Sequence, residues 1–415
     1  MGACSDGMGK PGLAAVMTLY FFSLGFCIVT PAMAKFAEAF PYQEYALINS
    51  LPTIFIAVAG IAFGFVAGRA VGYRTMAVAG SALCMVAGIA PAFIDDFGLI
   101  LVCRSIVGIG VGLLIPMANA LVNGSFEGDA RARLLSAGSL MLNLGGIVLQ
   151  SVGGFLADVG WQTTFYGYLL FIVALAMSFM IPDVRSDGPM GWRGLDRRMA
   201  VVVALFMIYG ILQFSVMQNT SELFELRGAG GASASGLALS VFTALGCVGG
   251  LLYSRIRSVS TRAVFPLLWT ATAVGALIQA VSDSGALMTA GLAVFGFGFG
   301  MIIPAFVDWA GVMSKPSTVA FATALTTSGL YTGSFLSLLW SRVGDSLFGE
   351  HLVSNLWAAV VVGALLAAVF LLYDPLRSRS DGRSRADGRR RSSRAFGARS
   401  ERHICEVVRP GGAPG

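Results

Sequence analysis

Two charged side chains stand inside long apolar stretches, Arg104 and Asp308. A charge in such a stretch is costly, so it normally faces a cavity or a partner. Asp308 lies four residues after Pro304 and could take up and release a proton. It could equally be an interfacial acid one to two helical turns from a helix end, within reach of water. Arg104 either faces such a cavity or partner, or satisfies helix-end carbonyls or snorkels outward. Uncharged polar residues fall on helical stripes. Ser136, Ser139, Asn143 and Gln150 form one, Thr323, Thr327, Tyr331 and Ser334 a second, and Tyr209, Gln213 and Thr220 a shorter third. With Asn119 they could hydrogen-bond a solute, or they could bond neighbouring helices, as such residues often do. Other chemistry has little to work with. Only His351 and His403 exist, and the six cysteines show no CxxC spacing, so no metal site, cofactor site or disulfide framework is expected. No phosphate-cradling motif is present, and the chain does not read as an enzyme.

The elements that must position these residues follow from composition. The chain has 415 residues, 56% hydrophobic and 12% charged, against about 25% charged in soluble domains. Twelve apolar spans of membrane-crossing length recur, at about 12–34, 46–67, 76–94, 98–121, 134–156, 163–181, 199–220, 236–254, 263–281, 286–312, 317–341 and 352–373. The expected fold class is all-α integral membrane, with two pseudo-symmetric six-helix bundles. A repeat supports the two halves. Gly108-Ile109-Gly110-Val111-Gly112 leads to Pro116, and 188 residues later Gly296-Phe297-Gly298-Phe299-Gly300 leads to Pro304. Two related membrane halves point to a transporter with its site between them. The ladders are not GxGxxG and follow no strand, so dinucleotide binding is excluded. They read as helix-packing seams beside a proline.

Loop charges set the orientation. With the N-terminus inside, inner loops and tail collect 24 Lys and Arg, and outer loops only Lys35, Arg227 and Arg342. This bias places both termini in the cytoplasm of a cell membrane. The apolar run after Lys10 exceeds a typical signal core and is read as the first span, although Ala32-Met33-Ala34 has the form of a cleavage site. The organisation is then an N-terminal half over 1–181, a polar linker over 182–198, a C-terminal half over 199–373 and an Arg-rich tail over 374–415. The tail carries eleven Arg against five acids and is expected to be a disordered anchor for anionic lipids rather than a nucleic-acid binder.

This arrangement resembles the major facilitator superfamily. The family's span-four motif, an Arg followed by glycines, appears as Arg104 with Gly108, Gly110 and Gly112. Its loop between spans two and three appears as Gly64-Phe65-Val66-Ala67-Gly68-Arg69-Ala70-Val71-Gly72-Tyr73-Arg74, with the glycines and arginines present and the acid missing. The antiporter motif of span five is partial. Gly145 and Gly153-Gly154 fit, but Leu149-Gln150 replace Gly-Pro. The resemblance implies that spans 1, 4, 7 and 10 line a cavity. It implies gating or proton-coupling roles for Arg104, Asp308, Arg69 and Arg74, and a solute site among Asn119, Asn143, Gln150, Tyr209, Gln213, Thr323, Thr327 and Tyr331. The expected activity is proton-coupled efflux of small amphipathic organic compounds or drugs by a monomer. The alternatives are uptake of a small metabolite, or a transporter-like sensor that no longer cycles.

Overall fold

The computed structural model describes residues 9–66, 71–126, 128–181, 196–313, 319–348 and 351–376. Arg69, the span 182–195 and the tail from 377 lie outside the described residues. The crossing segments are α1 Lys10–Ala39, α2 Leu47–Val66, α3 Tyr73–Phe93, α4 Phe97–Ser125, α5 Gly128–Val159, α6 Thr163–Ser178, α7 Met199–Leu226, α8 Ala232–Val259, α9 Thr261–Val281, α10 Gly285–Met313, α11 Val319–Phe348 and α12 His351–Leu372. Among the described residues, nine are long and apolar enough to cross a bilayer by length and composition alone. Of the rest, α6 is a shorter apolar helix, α2 is an apolar helix of 20 residues, and α11 carries more Thr, Ser and Tyr. Helix is what an apolar chain adopts in lipid, because every backbone N–H must find its carbonyl within the segment.

Consecutive helices run antiparallel, so the molecule has two ends. The termini end carries residues 10, 73, 181, 261 and 374, as the Arg74 Nε bond to Ile181 O and the Thr261 Oγ1 bond to Asp374 (both 2.8 Å) confirm. The opposite, far end carries the turns at 40–46, 160–162 and 227–231.

Each half has its own core. Phe36, Phe165, Tyr168 and Phe171 fill the first, and Phe206, Phe265, Trp269, Phe295 and Phe306 the second. The glycine ladders do the same job in both. Gly108 and Gly112 face α2, where a Cβ on Gly112 would sit 2.8 Å from Ile56 O, and Gly110 faces α3, 2.8 Å from Gly80 O. In the second half Gly296 and Gly300 face α8 at Phe242 O and Gly246 O, and Gly298 faces α9, 2.9 Å from Leu268 O. Without side chains the backbones approach closely, which is how helices associate where lipid supplies no hydrophobic drive. Pro116 and Pro304 sit inside unbroken helices.

Several elements differ in form or extent from the sequence expectation. The first span is not one helix: α1 is α-helical to Phe22, a 3₁₀ segment over Gly25–Ala32, and α-helical again over Met33–Ala39. Ser23 Oγ bonds back to Leu19 O at 2.7 Å, Gly25 follows, and Pro31 brings no N–H; each weakens the regular ladder. The helix α6 likewise opens in 3₁₀ form over Thr163–Leu170. The helix α8 continues to Val259, beyond the apolar stretch ending at 254, so Arg255 and Arg257 are helical rather than in a loop. Interfacial turns need no apolar side chains to stay helical.

Candidate functional site

The halves meet along α5 against α8 and α2 against α11, with the 3₁₀ segment of α1 touching both α7 and α8. Small residues let α5 and α8 approach: a Cβ on Gly154 would fall 2.7 Å from Ala232 O, and one on Gly236 2.9 Å from Gln150 O. Polar bonds stitch the same seam. Ser151 and Ser240 share a 2.8 Å hydroxyl pair, and Thr243 Oγ1 donates to Gln150 Oε1 at 3.1 Å. Ser221 and Ser235 both donate to Pro31 O, at 2.7 and 3.4 Å. Nearer the far end, Ser233 N donates to Asp158 Oδ1 at 3.2 Å, Lys35 pairs with Glu225 at 3.6 Å, and Arg342 pairs with Glu44 at 2.7 Å. Tyr45 lies in the far turn beside Glu222, and burial together with that carboxylate pushes its hydroxyl pKa up, so it stays a neutral donor. All these cross-half bonds lie in the far half of the bundle. The arrangement is a molecule sealed at its far end.

Arg104 stands behind this seal. It is fully buried, and among the described residues no other charged side chain is. Its Nε donates to Ile48 O at 2.7 Å, its Nη2 to Phe26 O at 3.0 Å, and its Nη1 to the Tyr168 hydroxyl, whose ring also lies under the guanidinium, 5.7 Å from the centroid. Phe26 O belongs to the 3₁₀ segment of α1 and Ile48 O to the first turn of α2. One cation thus fastens α4 to α1, α2 and α6 within the first half.

Asp308 sits toward the termini end, on α10. Tyr253 donates to Oδ2 at 3.2 Å, and Arg257 approaches within 2.5 Å of Oδ2 and 3.2 Å of Oδ1. The carboxylate is a quarter exposed. These contacts join α8 to α10 in the second half, well away from Arg104.

The other expected site residues divide. Gln150 lies in the seam. Tyr331 reaches across it, its ring meeting Phe26 edge-on with centroids 6.3 Å apart. Asn119 is exposed and accepts from Tyr20 at 2.7 Å, and Asn143 is partly exposed, bonded back to Ser139 O at 2.8 Å. Gln213 is buried against Met217 one turn along α7, and Thr327 is half-buried on α11. Thr323's side chain and Arg69 lie outside the described residues. One placement differs from expectation. Tyr209 does not line the interface; it is buried in the second core, edge-on to Trp269 at 5.5 Å. That face of α7 packs on α9 and α10, so a polar tip on the stripe did not decide the direction. Arg74 Nε donates to Ile181 O at 2.8 Å, within the first half. Sequence reasoning missed Tyr20, Phe26, Thr30, Asn49 and Tyr168, and Arg257 as partner of Asp308. Thr30 Oγ1 donates to Asn49 Oδ1 at 3.3 Å, and both are fully buried. A signal existed only for Arg257, whose i+4 spacing from Tyr253 puts both on one helical face.

Comparison with known proteins agrees with this architecture. The quinolone resistance protein NorA of Staphylococcus aureus (strain COL) is 23% identical over 301 residues, covering 67% of this chain and 73% of that relative. Among solved structures, a D-xylose-proton symporter superposes with a TM-score of 0.68 at 16% identity, covering 86% of this chain and 97% of its own. A POT family transporter in complex with 5-aminolevulinic acid gives 0.70 at 12% identity, covering 90% and 99%. At these identities the structures speak to fold alone. The pattern of the Major Facilitator Superfamily, however, matches residues 13–338, most of both halves, and so this multi-pass membrane chain belongs to that family of transporters.

Proposed function

We propose that this transporter exports small amphipathic organic compounds in exchange for protons, its halves rocking about the seam so that the site opens alternately to each end. The far end is then the outer face, a reading that the 24-to-3 charge bias supports, and the chain sits in the cell membrane with both termini cytoplasmic. The observation that carries the reading is the make-up of the interface. Phe26, Tyr331 and neutral polar groups line it, while the acids of the spans keep to helix ends. Such a surface suits apolar or weakly polar solutes. The relative named for quinolone resistance points the same way. Asp308 is the candidate proton carrier, since it is a carboxylate on α10 that is partly exposed and within direct reach of Arg257 and Tyr253. The test is transport by proteoliposomes with an acidic lumen, using lipophilic dyes and drugs and a protonophore control. Accumulation that needs the gradient is expected; accumulation indifferent to the protonophore would overturn proton exchange.

Uptake of a small metabolite is the second reading. It is favoured by one feature: Leu149-Gln150 stand where efflux members of the family carry Gly-Pro, and Gln150 is committed to Thr243 across the seam. Gradient-driven entry of a metabolite into whole cells, without dye export, would establish it.

A further inference from the structure

Among the described residues no carboxylate is paired with the charge on Arg104. Its partners are two carbonyls and a phenol. Carbonyl dipoles satisfy its N–H groups, but a full positive charge remains in a poorly screened interior, where its field persists over many ångströms. That charge lies one residue behind the surface between the halves. Phe26 carries both sides of the wall: its carbonyl takes Arg104 Nη2 at 3.0 Å and its ring meets Tyr331 of the second half. Cys27 lies within reach of both Gln150 and the field of Arg104. Several acids are already engaged elsewhere. Glu225 is engaged by Lys35 and Glu44 by Arg342 at the far end, and Asp308 by Arg257 toward the termini end.

We propose that the solute site between the halves favours compounds presenting a carboxylate or other electron-rich end to the layer of Phe26, Cys27, Thr30 and Gln150, and discriminates against permanent cations. Neutral polar groups buried at this level complete the layer: Thr30 with Asn49, and Gln150 with Thr243. They can orient an acceptor end without adding charge of their own. This inference rests on the transport reading above and names the solute class that such a site would take.

The test uses the full chain in lipid nanodiscs with three aromatic probes matched in size and lipophilicity: a carboxylate, a neutral amide and a quaternary ammonium. Binding is read by tryptophan quenching at constant ionic strength. A unit charge about 10 Å away across an effective dielectric of about 20 changes affinity by roughly tenfold, so the carboxylate should bind at least about tenfold tighter than the ammonium probe. Removing Arg104 outright risks the fold, so the second arm is Gln150→Glu. This near-isosteric change keeps an acceptor for Thr243 and sets a negative charge against the cation. It should shrink or invert the preference. Equal or tighter binding of the ammonium probe by the native chain would overturn the inference while leaving transport intact. A preference indifferent to Gln150→Glu would overturn it as well. Binding of none of the three would sink the transport reading and the inference together.

Discussion

A guanidinium inside a membrane protein must find acceptors for its N–H groups or pay a heavy desolvation cost. Arg104 finds Ile48 O, Phe26 O and Tyr168. Replacing it with Met would leave buried carbonyls without donors, at about 1–3 kcal/mol each. Arg104→Met should therefore lower the unfolding temperature clearly. Arg104→Lys should recover only part of the loss, because an ammonium cannot span the fork of partners that a planar guanidinium reaches. Thermal unfolding in detergent decides; a Met variant as stable as the native chain would show that the bonds contribute nothing. Asp308 behaves differently. Its pair with Arg257 is partly solvated, and such pairs are worth about 1 kcal/mol or less. Asp308→Asn should leave folding almost unchanged yet abolish the dependence of transport on the proton gradient. An unchanged pH profile in that variant would remove Asp308 from proton coupling. Both residues were legible in the sequence because a charge in an apolar run has few innocent explanations. The partners of Arg104 were not: two are backbone carbonyls and the third lies 64 residues away.

At the scale of the element, the glycine ladders were legible and their geometry was not. The repeat at half the chain length announced two packing seams, but only the fold shows each ladder serving two neighbours at once. Gly296 and Gly300 of α10 pack against α8 while Gly298 packs against α9. The space is too tight for a methyl group at Gly300, where the backbone of Gly246 stands in the way, whereas a Cβ on Gly60 would meet its nearest neighbour at 3.8 Å. Gly300→Ala should thus destabilise by about 1–3 kcal/mol, the usual cost of overpacking. Gly60→Ala should be neutral or slightly stabilising through its better helix propensity. Unfolding of the two variants side by side checks this, and equal stability would mean the seam is looser than its geometry. The break in α1 escaped the sequence reading for a physical reason. Gly25, Pro31 and Ser23 are each tolerated in membrane helices. Only their concurrence, with Arg104 capturing the carbonyl of Phe26, makes the 3₁₀ form the better solution. Tyr209 failed similarly: a stripe gives the face of a helix but not which neighbour will cover it.

For the whole molecule, what matters is how firmly the two halves are held together at the far end. The ion pairs Arg342–Glu44 and Lys35–Glu225 are solvent-accessible and individually weak. That suits the proposed cycle: contacts worth a few kcal/mol in total can be released by differential solute binding, whereas a deeply buried lock could not. The close Gly154–Gly236 approach and the hydroxyl bonds of Ser151, Thr243 and Ser221 supply the fit rather than the strength. If the far end opens during turnover, a covalent tie across the seam must stop transport. Ser151 and Ser240 offer the place, since hydroxyl oxygens 2.8 Å apart put two sulfurs within bonding reach after side-chain adjustment. The double variant Ser151→Cys, Ser240→Cys should oxidise readily, lose gradient-driven transport and regain it on reduction, while each single variant transports throughout. Solute should still bind the oxidised protein from the termini end, because the tie leaves that side free. Transport undiminished by a fully formed disulfide would mean that this seam never parts, and alternating access about it would have to be abandoned.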